Sequence, residues 1–126
     1  MMEQEPKHPA EPEILDLEHL REVCDGDLAF EREIVGDFLA QVTPLHESLA
    51  AALAVGDAAA IRFAAHSLKG SSRSLGAVAL GEACAALEEI GNREDLARAP
   101  AALQRTTVEI GRLRQRIQQH LSGLAA

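Results

Sequence analysis

The residues best suited to chemistry in this 126-residue chain share one stretch, Ala64-Ala65-His66-Ser67-Leu68-Lys69-Gly70-Ser71-Ser72-Arg73-Ser74-Leu75-Gly76. An imidazole is a nucleophile and proton carrier near neutral pH, and cations beside it favour an anionic group on or near the ring. No acidic residue occurs between Ala58 and Gly81, whereas Arg62, Lys69 and Arg73 are cationic. The whole chain carries a formal charge of −8, so this +3 segment leaves −11 to the rest. A cationic island around one histidine, on an otherwise acidic protein, suits a dianionic ligand.

Helical geometry decides where these groups point. At about 100° per residue, Ile61, Ala64, Leu68, Ser71, Ser72 and Leu75 fall opposite His66 and predict a buried stripe. Arg62, His66, Lys69, Gly70 and Arg73 share the exposed face, with Phe63 at its edge as either a docking contact or a core-boundary residue. A glycine inside a helix costs about 1 kcal/mol relative to alanine, and nothing in the helix asks for Gly70. Either it leaves room for a partner or ligand to approach the imidazole, or it marks close helix packing, although the wheel turns it away from the core.

The elements that must position this face are helical. Ala, Leu, Glu, Arg and Gln dominate, and aromatics make up only 2% of the chain, which argues against an all-β fold. Asp16 caps a short stretch over 17–24, closed by Asp25-Gly26. Asp27 opens a long helix whose apolar positions include Leu28, Phe30, Ile34, Val35, Phe38, Leu39, Val42, Leu45, Leu49 and Leu53. Pro44 should kink that helix near Gln41 without ending it, and Gly56-Asp57 is a stop followed by a new cap. The histidine helix runs from Ala58 to Leu75, with Gly76 as its stop. A further helix spans 78–90 through Leu80, Cys84, Leu87 and Ile90, broken by Gly91-Asn92. Pro100 fits the first turn of a last helix, or a loop before it, carried by Leu103, Val108, Ile110, Leu113, Ile117 and Leu121. The predicted fold is all-α: an antiparallel up-down four-helix bundle with a short extra N-terminal helix. Residues 1–12 read as a disordered tail, 13–122 as the domain and 123–126 as a short C-terminal tail.

Composition narrows the function classes. The acidic charge argues against general nucleic-acid or anionic-membrane binding. No run approaches about 18 consecutive apolar residues, and residues 1–12 lack the pattern of a secretion signal. Cys24 and Cys84 have no metal-ligand spacing and read as reduced packing residues of a cytoplasmic protein, with a disulfide between them as the alternative. His8, His19, His46 and His120 read as ordinary solvated histidines. No metal-binding histidine pair, nucleophile elbow or phosphate-cradling glycine loop is present in the sequence.

The segment His66-Ser67-Leu68-Lys69-Gly70, with Ala65 before it and Ser71-Ser72 and Leu75-Gly76 after it, resembles the signature of the histidine-containing phosphotransfer (HPt) family. The likeness extends to Gly26-Asp27-x-x-Phe30, Phe38-Leu39, Pro44, Gly56-Asp57 and Cys84-x-x-Leu87-Glu88, from about residue 14 to 121. It implies a four-helix bundle whose exposed histidine accepts a phosphoryl group from one receiver aspartate and donates it to another. By position, His66 would be phosphorylated on Nε2, Lys69 would stabilise the phosphoryl oxygens, and Gly70 would leave room for approach. The family's Gln or Glu on the next helix, bonded to the ring's other nitrogen, falls here on Glu88. Arg73-Ser74 departs from the small or amide residues of many members and adds a cation, a second candidate for phosphoryl contact.

The resemblance also implies the partners: receiver domains of hybrid histidine kinases and response regulators, met through Arg62, Phe63 and the surrounding face. Magnesium would come with the receiver, since no acidic cluster adjoins His66 and no cofactor is expected on this chain. A monomeric phosphocarrier without its own ATP-dependent kinase activity is the expectation. The competing reading is an HPt-like scaffold that binds signalling partners without being phosphorylated.

Overall fold

The computed structural model describes residues 12–125, so most of the tail assigned to residues 1–12, and His8, lie outside the described residues. The elements are α1 (Leu17–Val23), α2 (Leu28–Val55), α3 (Ala58–Leu75), α4 (Val78–Arg93), a 3-10 turn (Leu96–Arg98) and α5 (Ala99–Ala125). Asp16, Asp27 and Asp57 cap α1, α2 and α3, each carboxylate accepting a first-turn backbone N–H. Gly56 and Gly76 close α2 and α3 in the left-handed conformation.

Around the bundle α2 packs on α3, α3 on α4, α4 on α5, and α5 back on α2, while α1 lies against α3. Short connections make successive helices antiparallel. The shared core contains Val35, Phe38, Val42 and Leu49 of α2, Ile61, Leu68 and Leu75 of α3, Leu80, Cys84 and Leu87 of α4, and Ile110, Leu113 and Ile117 of α5. On length and composition α2 is apolar enough to cross a membrane, with a mean hydropathy of 1.2 over its most apolar window. The sequence reading missed this; in the fold, α2 buries its apolar stripe against α3 and α5.

The α3–α4 turn is held by the segment before α1. Asp16 N–H donates to Gly76 O at 2.8 Å, and Ala79 N–H donates to Glu13 O at 2.8 Å. A Cβ on Gly76 would lie 2.9 Å from Asp16 O, so this position needs glycine for space as well as for its φ of +99°. Residue His19 adds a third tie, its Nε2–H donating to Ser74 O at 3.0 Å.

α2 runs on through Pro44 without ending there, as the periodicity on either side requires. Several other expectations need correction. Gly91-Asn92 does not end α4, which continues to Arg93 and stops at Glu94 in the left-handed conformation. Gly91 faces α3 instead: a Cβ there would lie 2.8 Å from Arg62 N and 2.9 Å from Ala58 O. α5 begins at Ala99, which puts Pro100 in its first turn, the first of the two expected placements, and it extends through residues 123–125, expected to form a C-terminal tail. Leu28, Phe30 and Val108 are exposed. Phe30 is one residue, about 100°, off the stripe through Glu31, Val35 and Phe38, and Val108 lies across the helix from Thr106 and Ile110.

The remaining described histidines are not simply solvated. His46 Nε2 lies 2.8 Å from Thr107 Oγ1, joining α2 to α5. His120 of α5 hydrogen-bonds the Glu31 carboxylate of α2, and both side chains are largely buried. Glu31 therefore occupies a place in the apolar stripe because it has a partner across the interface.

Gly91→Ala is expected to lower stability by about 1–3 kcal/mol, since the added methyl meets α3 backbone. Gly70→Ala, whose Cβ would meet open space, is expected to hold or raise stability by up to about 1 kcal/mol. Urea unfolding of the two variants checks both; a Gly91→Ala protein as stable as the parent contradicts this packing.

Candidate functional site

His66 sits mid-way along α3, where Ile61, Ala64, Ala65, Leu68, Ser72 and Leu75 bury the opposite face. The ring stands out of the bundle, its side chain 66% exposed. Its Nδ1 lies 2.8 Å from Glu88 Oε2 on α4. A carboxylate can only accept here, so Nδ1 carries the proton and Nε2 of the neutral ring keeps its lone pair. The free nitrogen belongs to an exposed side chain, oriented by a residue from a different helix.

Glu88 has a second partner. Lys69 Nζ lies 2.5 Å from Glu88 Oε1, with the lysine side chain 22% and the carboxylate 17% exposed. The hydrogen bond from Lys69 and then that from His66 hold the Glu88 carboxyl below the usual carboxylate range, against partial burial, which pushes it up. A depressed folded value means that the tie contributes stability above the unfolded carboxylate pKa and loses it as pH falls through the folded one.

The structure thus brings together His66, Lys69 and Glu88. Gly70 is exposed with open space above it, matching the access reading and not the close-packing one. Arg62 is exposed on α3, and Phe63 is 70% exposed beside it. Arg73 is not brought to the ring. It lies two turns beyond His66, about 10 Å along the axis, and its stem crosses Gly81, where an added Cβ would come within 3.1 Å of its Cγ. Ser71 Oγ, expected in the buried stripe, is only partly buried and donates to Gln41 Oε1 of α2 at 2.9 Å.

Sequence reasoning missed the Lys69–Glu88 pair, because position alone suggested that Lys69 was free to meet an incoming anion. The spacing of His66 and Lys69 on one helical face was the available signal, since any acceptor that reaches one is within range of the other. The two thiols are free and buried. Burial pushes Cys84 up to about 12 in spite of the lowering effect of Arg73, and burial followed by the charge of Glu31 raises Cys24. Both shifts disfavour the thiolate, the nucleophilic form, at neutral pH. No group of His, Cys, Asp or Glu side chains fit to hold a metal ion occurs among the described residues.

The Hpt domain family profile matches residues 33–124. The chain belongs to the Hpt domain family. Its fold is similar to the crystal structure of histidine-containing phosphotransfer protein B from Pseudomonas aeruginosa PAO1, with a TM-score of 0.80 and 34% sequence identity. That match covers 85% of this chain and 93% of the other. A search of curated protein sequences gives no match. This Hpt domain therefore has a phosphorelay role.

Replacing Lys69 by alanine is expected to raise the Glu88 pKa toward the ordinary carboxylate value. A carboxyl-carbon NMR titration of the parent and Lys69→Ala proteins measures it; an unmoved Glu88 would mean that the ion pair does not form in solution.

Proposed function

We propose that this Hpt domain accepts a phosphoryl group from a receiver aspartate onto His66 Nε2 and passes it to a second receiver aspartate. The observation that carries the reading is the hydrogen bond from His66 Nδ1–H to Glu88, which leaves Nε2 of an exposed ring as the nucleophile. In the forward step the Nε2 lone pair attacks phosphorus, the N–P bond forms and the acyl-phosphate O–P bond breaks. The receiver carboxylate departs with the electron pair. The ring is then a phosphoimidazolium whose Nδ1–H still donates to Glu88. Donation to the next receiver reverses these events.

The surrounding groups fit such an exchange. Gly70 leaves space for an opposing backbone or a phosphoryl oxygen. Lys69 has the stem length to carry its ammonium from Glu88 to a phosphoryl oxygen. Arg62 and Phe63 offer a charged and an apolar contact on the same exposed face, complementary to an acidic receiver pocket. Magnesium belongs to the receiver in this scheme. The protein acts as a carrier rather than a kinase, as a monomer in the cytoplasm, where its buried thiols stay reduced.

Incubation with a phosphorylated receiver domain should add about 80 Da to the intact protein, a label lost in acid. His66→Gln should take up none, and equal labelling of the two proteins would refute the site. Gly70→Ala should remain folded yet exchange phosphate several-fold more slowly; an unchanged rate would remove its access role.

A further inference from the structure

The two oxygens of Glu88 are committed to different tasks: Oε2 accepts the His66 Nδ1–H at 2.8 Å, and Oε1 holds Lys69 Nζ at 2.5 Å. The ammonium that a phosphoryl group on Nε2 would attract is therefore already paired. Few other charges stand ready to replace it. On α4, Arg93 pairs with Glu89. On α3, Arg73 extends over Gly81, and Arg62 is exposed one turn before the histidine. On the α2 side, the groove beside α3 is lined by Gln41, Pro44, Leu45, Ser48, Ser67 and Ser71, without an ionisable side chain. One lysine thus faces two anions, a resident carboxylate on α4 and a transient phosphoryl group on α3.

Resting on the phosphocarrier reading, we propose that Glu88 competes with the phosphoryl group for Lys69, so that the negative charge at position 88 weakens retention of phosphate on His66 and favours its onward transfer. Glu88 is in this sense a positioning residue with a second task. It orients the ring through one oxygen and limits phosphohistidine stability through the other. Glutamine at this position could still accept Nδ1–H through its amide oxygen, with less hold on a cationic ring, but it would release the lysine, the closer of the two partners at 2.5 Å against 2.8 Å. The ammonium would then be free for the phosphoryl oxygens.

The test is the equilibrium between phosphohistidine on the full chain and phosphoaspartate on a receiver domain charged with a small-molecule phosphodonor. It is read for the parent, Glu88→Gln, Lys69→Ala and the double variant. Glu88→Gln should shift the ratio toward phosphohistidine by about threefold or more, the scale of a partly exposed ion pair. In the Lys69→Ala background the same substitution should give no such shift. A Glu88→Gln ratio equal to the parent's, or an equal shift with and without Lys69, overturns the competition while leaving the carrier function standing. A parent protein that takes no label overturns both.

Discussion

The hydrogen bond between His66 and Glu88 spans two helices, and it exists only because α3 and α4 lie close together along their length. Glycines on α4 permit that approach on either side of the carboxylate. Gly91 faces the α3 backbone at Ala58 and Arg62, and Gly81 lies under the stem of Arg73. Between them Glu88 reaches the imidazole without being fully buried, so it remains an acceptor and not a protonated acid. The tautomer of one exposed ring therefore depends on helix packing, and the close approach at Ala58 and Arg62 on Gly91 having no side chain.

The remainder of the bundle keeps that geometry fixed and keeps other chemistry away from it. The segment before α1 pins the α3–α4 turn through Asp16, Glu13 and His19. On the far side, the Glu31–His120 pair and the His46–Thr107 contact join α2 to α5. Both cysteines are buried in the core with raised pKa values, so neither offers a surface thiolate beside the imidazole. The charge pattern supports the division: Arg62, Lys69 and Arg73 interrupt an acidic chain on the one helix that carries His66.

Much of this was legible in the sequence where local rules act alone. Aspartate caps, glycine stops and the apolar stripe of α3 are short-range features, and they placed α3 at the bounds observed. The exposed face followed from the same periodicity. The pairing of Glu88 with His66 came from family resemblance and not from spacing, since the register between two helices is not a local property. The errors have the same origin. Gly91 looked like a terminator but is a contact point for α3, and His46 and His120 looked solvated because their partners are distant in sequence. Arg73 shared the exposed wheel position of Lys69, yet the groove over Gly81 drew it away, while Lys69 turned to Glu88.

The central claim is that Glu88 holds the proton on Nδ1 and so leaves Nε2 free. Long-range proton–nitrogen NMR of the His66 ring at neutral pH tests it directly. For the neutral form of the ring the account predicts the Nδ1–H tautomer, with Nε2 showing the shift of an unprotonated ring nitrogen. A ring protonated at Nε2 would contradict it.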